Sequence, residues 1–293
     1  MCYDAPKGTG DQQVPKLVHF THPEDVDILG LFGGRGNSSN IVWRTCATAW
    51  LQHFPPTEYE YRFWSDVQSA GLVSQKCNEH WNFYRRAPSK IHQADLVRYC
   101  LLYRSGGIYS DLDYEPRANF MGELASSRVS LIGSPYHGEQ MENSLMASPP
   151  RLDYWMRVLD LAVRRGMGGP PVKTTGPNLL RAMNTTEPHI LPCQRFFRGT
   201  HADDVCFSSK KAFLPVRQGG WTDTACPCRK MLHANDSTDP GLLGVHWGTY
   251  TYWAGNNTPP GVPAPHKFSR IKVTFRVFHN LTMSTNEMLH GSV

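Results

Sequence analysis

Between Ala94 and Arg117 the chain reads ADLVRYCLLYRSGGIYSDLDYEPR, and this stretch limits what the rest can be. Leu96, Val97, Cys100 and Leu101 fall at i, i+1, i+4 and i+5, the apolar stripe of a helix facing a core. Asp95 and Arg98, three apart, project from a neighbouring face of that helix. Ser105-Gly106-Gly107 is its stop, since glycine just past a helix adopts backbone angles other residues avoid. Ile108-Tyr109-Ser110 then reads as a short strand running into Asp111-Leu112-Asp113, and Pro116 ends it. Alternate strand residues share a face, so Asp111 and Asp113 are expected to point the same way. Two carboxylates together at the carboxyl end of a strand suit a hard cation such as Mg²⁺ or Mn²⁺. A bare Asp-x-Asp is also a common solvated turn, and it gains meaning only from the helix and glycines in register with it.

The chain of 293 residues allows one large α/β domain or two small ones. A formal charge of +5 suits anionic small ligands, and the absence of a basic run argues against nucleic acid. No stretch approaches the eighteen or so apolar residues of a transmembrane helix. The first residues, MCYDAPKGTGDQQ, lack the apolar centre of a signal peptide. Eight cysteines, and glycosylation acceptors at Asn37, Asn184, Asn235, Asn256 and Asn280, point instead to a secretory lumen such as the Golgi. Lumen and cytoplasm therefore both stay open. Residues 1–13 are expected to be a disordered lead, 14–282 a single domain, and 283–293 a frayed tail.

Along the chain, Val14 to Phe20 reads as a first strand containing His19. Gly30 to Asn40 is a loop; Gly33-Gly34-Arg35-Gly36 is no phosphate loop, because no Gly-Lys-Ser/Thr follows. Trp43, Ala47, Trp50, Leu51 and Phe54 mark a helix whose aromatics read as core. Tyr59 to Asp66 alternates as a strand, and Val129 to Gly133 is another. A segment containing Asn143 precedes Pro149-Pro150, and Trp155, Met156, Leu159, Ala162 and Val163 give a further helix. Thr174-Thr175-Gly176-Pro177 is a turn into a helix, with Pro177 at a favourable first position. Residues 184–240 are loop-rich and hold Cys193, Cys206, Cys226 and Cys228, whose spacing fits disulfides or free thiols better than zinc. Val245-His246-Trp247-Gly248 to Trp253 is a second patch of chemical interest. Residues 259–266 are proline-rich, and Ile271 to Phe278 alternates as a last strand.

The run ADLVRYCLLYRSGGIYSDLD resembles the signature of DXD-containing glycosyltransferases of the Och1-like family (glycosyltransferase family 32). That group includes yeast α-mannosyltransferases, animal α1,4-galactosyl- and α1,4-N-acetylglucosaminyltransferases, and bacterial capsular sugar transferases. The likeness implies an α/β, GT-A type fold: a Rossmann-like, mainly parallel sheet flanked by helices, with an irregular C-terminal half. It implies transfer of a hexose or N-acetylhexosamine from a UDP- or GDP-sugar to a glycan, glycolipid or glycoprotein, with retention and an α-linked product. Mn²⁺ or Mg²⁺ is the implied cofactor, held by Asp113, by His246, and by Asp111 directly or through water. Asp95 and Arg98 would hold donor-sugar hydroxyls. His19 and Phe20 at a strand end, Tyr109, Asn143, Gly176, Pro177 and Trp253 complete the implied donor site. Two rivals differ in class. An Asp-x-Asp phosphatase would need Thr or Val where Glu115 stands. A non-catalytic nucleotide-sugar or carbohydrate-binding protein on the same fold is separated from an enzyme only by turnover.

Overall fold

A computed structural model describes residues 13–23, 26–33, 41–133, 141–196 and 241–246. Trp253, the last strand, the proline-rich stretch and three of the cysteines discussed above lie outside them. In chain order the elements are β1 (Leu17–Thr21), α1 (Ile28–Phe32), α2 (Ile41–His53), β2 (Glu60–Trp64) and α3 (Asp66–Lys76). After a 3-10 turn come α4 (Trp81–Tyr84), α5 (Lys90–Ser105), β3 (Gly107–Ser110), β4 (Tyr114–Pro116), β5 (Ser130–Gly133) and β6 (Met141–Ser148). Then follow α6 (Asp153–Arg165), α7 (Pro171–Thr174), α8 (Pro177–Arg181), β7 (His189–Leu191), α9 (Cys193–Phe196) and β8 (Gly244–His246).

Six strands form one sheet in the order β2-β1-β3-β6-β5-β7, and β4 pairs with β8 beside it. β2, β1 and β3 run parallel, as do β5 and β7, and β6 alone runs against both neighbours. The expected mainly parallel α/β sheet is therefore present. The reversed β6 was not anticipated: MENSLMAS has no clean alternation, because six of its eight residues are buried.

Helices cover both faces. On one, Phe20 has zero exposure and sits among Phe32, Trp50, Tyr61 and Phe63, with Trp50 edge-on at 5.6 Å. On the other, α5 packs with α3, α6 and α8 around Tyr99, Trp155 and Met146. α5 carries more than a stripe: every residue from Ala94 to Leu102 is buried, the charged ones included. A disulfide from Cys77 to Cys100 ties it to the end of α3.

The Gly-Gly stop does two jobs. Gly106 ends α5 at φ +61°, where a Cβ would lie 2.5 Å from the Pro150 nitrogen. Gly107 follows at φ +89°, where a Cβ would lie 2.5 Å from the Leu17 carbonyl oxygen. Only a chain without side chains turns here and passes this close to β1.

His19 fastens the same corner. It is fully buried; its Nε2 donates to the Gly106 carbonyl at 3.0 Å and its Nδ1 accepts from Trp64 Nε1 at 3.1 Å. Burial, helped by the Arg62 charge and opposed by the Gly106 bond, lowers its pKa from 6.5 to about 3. The unfolded chain therefore takes up this proton first. This contribution is intact above about pH 6.5 and is lost as pH falls, at up to about 1.4 kcal/mol per unit. Urea denaturation of wild type and His19→Gln across that window is expected to show a shallower acid loss in the variant; equal slopes would remove His19 from the account.

Candidate active site

The candidate site begins with charges that α5 has placed where water cannot reach. Arg98 Nη1 donates to the Asn143 carbonyl at 2.6 Å and Nε to the Ala94 carbonyl at 3.1 Å. Its Nη2 stands 3.4 Å from Asp95 Oδ1 and its Nη1 3.4 Å from Asp111 Oδ1. The guanidinium lies over the Tyr109 ring, 4.6 Å from its centre. Burial works against the charge of Arg98, but Tyr109, Asp111 and Asp95 outweigh it, and the group stays cationic.

Asp95 is held from both sides. Its Oδ1 accepts from Asn143 Nδ2 and its Oδ2 from Thr175 Oγ1, each at 2.8 Å. Burial raises its pKa, with Arg98, Thr175 and Asn143 offsetting. Asn143 reaches this face because β6 bulges. Leu131 pairs with Met146 while the next residue, Ile132, pairs with Glu142, so three residues of β6 loop out of register. A bulge re-aims side chains that alternation would direct elsewhere. Thr175 was missed as a site residue by sequence reasoning, although it lies in the Thr-Gly-Pro turn. It is fully buried, and its carbonyl accepts from Tyr99, one turn of α5 beyond Asp95, at 2.7 Å. Gly176 closes the turn: a Cβ there would sit 3.2 Å from Asp95 Oδ2. The Gly176 amide is already given to the Pro171 carbonyl, and Pro177 starts the five-residue α8.

Asp111 and Asp113 do not share a strand, which corrects the expected alternation. β3 ends at Ser110, and Asp111-Leu112-Asp113 turns, with Tyr114 N donating to the Asp111 carbonyl at 3.2 Å. The turn forms because Asp111 N is satisfied by the Ser144 carbonyl at 2.8 Å, across from β6. The two carboxylates nevertheless converge with His246, which β8 delivers opposite Tyr114. One ligand atom from each of Asp111, Asp113 and His246 lies within 4.8 Å of the others. His246 Nε2 is 3.3 Å from Asp113 Oδ1. Burial lowers the His246 pKa, but Asp113 foremost, then Asp111 and Glu142, push it up to about 9. Burial raises Asp111, partly offset by Arg98. Two carboxylates and an imidazole fit Mn²⁺, which accepts nitrogen as well as oxygen.

Tyr109 joins the halves: its hydroxyl donates to Asp111 Oδ1 at 2.8 Å and accepts from Thr21 Oγ1 at 2.9 Å. The structure thus brings Asp95, Arg98, Tyr109, Asp111, Asp113, Asn143, Gly176 and His246 into one neighbourhood. His19 lies beneath, with both ring nitrogens engaged. Phe20 is packed inside the aromatic core on the opposite face from α5.

Gly244 fixes how β8 arrives. A Cβ there would overlap the Tyr114 hydroxyl, which is fully buried and donates to the Phe196 carbonyl at 2.8 Å. Gly244→Ala is expected to cost roughly 1–3 kcal/mol by overpacking, measured by urea denaturation. An unchanged midpoint would mean that Tyr114 moves aside freely.

Residues 42–130 match the family described as the glycosyltransferase sugar-binding region containing the DXD motif. In Schizosaccharomyces pombe, inositol phosphoceramide mannosyltransferase 3 is 39% identical over 100 residues, covering 34% of this chain and 24% of the relative. Mannosyl phosphorylinositol ceramide synthase CSH1 of Saccharomyces cerevisiae is 25% identical over 148 residues, covering 50% of this chain and 35% of the relative. The chain thus spans about a quarter to a third of these relatives' length. Among solved structures, an active-site mutant of LgtC aligns with a TM-score of 0.46 at 10% identity, covering 84% of this chain and 92% of that one. The matching segment, which holds α5, the Gly-Gly stop and both aspartates, is similar to the sugar-binding region of the DXD-containing glycosyltransferases.

Proposed function

We propose that this protein is a metal-dependent, retaining glycosyltransferase. It moves a hexose or N-acetylhexosamine from a UDP- or GDP-sugar to a glycan, glycolipid or glycoprotein, forming an α-glycosidic bond. The observation that carries the reading is the meeting of Asp111, Asp113 and His246 beside the buried Arg98–Asp95 pair. The mannosyl names of the relatives favour a mannosyl donor.

Asp111, Asp113 and His246 would hold Mn²⁺ or Mg²⁺, and such an ion supplies Lewis-acid stabilisation of a diphosphate leaving group. Asp95, fixed by Asn143 and Thr175, presents acceptor lone pairs to donor-sugar hydroxyls. Arg98 keeps positive charge next to them without needing to reorganise. Gly176 keeps the space above Asp95 Oδ2 clear, Pro177 sets the turn, and His19 would hold β1 to the Gly106 corner beneath the site. Trp253, outside the described residues, is proposed to contact the nucleotide or sugar. The transition state has oxocarbenium character, and attack on the face the leaving group vacates gives retention. The leaving phosphate would take the acceptor proton.

The Cys77–Cys100 disulfide, a second disulfide at Cys193 and the exposed acceptor Asn184 support a secretory lumen. Residues 14–282 would act there as one domain.

The test is release of nucleoside diphosphate from a panel of UDP- and GDP-sugars with Mn²⁺, GDP-mannose first. Metal-dependent release from one donor supports the reading and names the sugar. Donor binding without release with any acceptor would instead make this a binding protein. A β-linked product by NMR would overturn retention.

A further inference from the structure

A second surface carries charge without a counter-charge. Residues 163–173 read VRRGMGGPPVK, with three cations and no carboxylate. They close α6, cross a turn and form most of α7. Arg164, Arg165 and Lys173 are all exposed. No carboxylate among the described residues pairs with them: Asp160, one turn back, takes the His80 Nε2 at 2.8 Å, and Glu187 pairs with Arg157. The same stretch exposes Val163 at 44% and Val172 at 40%, two of the five large apolar side chains so exposed among the described residues. Arg164 and Arg165 complement the negative end of the α6 dipole, which accounts for two cations in that turn. It accounts for neither Lys173 nor the two valines.

We propose that residues 163–173 are a docking strip for an anionic lipid surface. Basic side chains meet the phosphate or carboxylate of the headgroups, and flanking apolar side chains leave water for the interfacial layer. A polyanion such as RNA would use the three cations and leave the valines idle. The strip leads within two residues from Lys173 to Thr175, which grips Asp95. On the proposed function, a lipid surface held at Lys173 would meet the chain two residues from the turn that fixes Asp95.

The experiment is sedimentation of the full chain with phosphatidylcholine vesicles, with and without about one-third phosphatidylserine; it needs neither donor nor metal. Binding is expected to require the anionic lipid and to weaken as salt rises. The Arg164→Gln, Arg165→Gln, Lys173→Gln triple variant should bind the anionic vesicles on the order of a hundredfold more weakly. A charge-matched control, Arg44→Gln, Lys76→Gln, Arg128→Gln, alters exposed cations outside the strip and should bind as wild type does. The Val163→Ser, Val172→Ser variant should also bind more weakly. No anionic binding, equal loss in the control triple, or binding indifferent to the valines and competed by an RNA homopolymer would each overturn the proposal.

Discussion

Replacing Arg98 with methionine is expected to cost about 3–5 kcal/mol of folding stability. The side chain fits the volume, so little of this is packing. The loss comes from what it leaves behind: Asp95 and Asp111 lose their shared cation, and the Ala94 and Asn143 carbonyls lose their donors. Burial already raises both carboxylates, with Arg98 as the first counterweight. Without it their folded-state values climb further above the unfolded ones. The folded variant then binds more protons than the unfolded chain, so its deficit against wild type should narrow as pH falls from neutral to about 5. Arg98→Lys keeps the charge but cannot spread donors over four acceptors, and should fall between the two. Urea denaturation at several pH values reads all three proteins. A deficit under about 1 kcal/mol, or one independent of pH, would mean that the guanidinium does not hold these carboxylates together.

The Asp113→Asn variant is expected to lose metal-dependent turnover by at least a hundredfold, on the order of losses seen when metal-site groups are changed. It should fold, since the amide matches the carboxylate in shape. Its second readout needs no substrate. Mn²⁺ at a hundred times its dissociation constant should stabilise the wild-type protein by about 2.7 kcal/mol, and the variant should show little of that gain. A variant that still gains stability from Mn²⁺ and still turns over would remove Asp113 from the ligand set.

What could be read from the sequence, and what could not, follows from range. The α5 helix, its glycine stop and the two aspartates lie within about twenty-five residues, and local pattern places them. Asp95 and Arg98 were legible because helical spacing alone sets their relation. His246 stood out only by its company, since nothing local says that β8 lies beside β4. The paired aspartates were expected on one strand and instead occupy a turn, because the backbone partner of Asp111 comes from β6. Asn143 depends on a bulge that no alternation reveals, and Thr175 on a hydrogen bond to an element eighty residues away. Phe20 was expected in the donor site and lies in the core. β1 is buried along its whole length, so its pattern does not say which side faces a ligand.

The pairing of β4 with β8 joins Tyr114 to His246, among the most distant contacts in the described chain. During synthesis, the Asp95–Arg98–Asn143 cluster can form once α5 and β6 have emerged, and Thr175 joins soon after. The third candidate ligand arrives only when Gly244–His246 leaves the ribosome. A nascent chain could therefore bring the sugar-holding residues together well before it could hold a cation, and premature termination ahead of Gly244 would release a chain that carries Asp95, Arg98 and Asn143 but lacks the third candidate ligand.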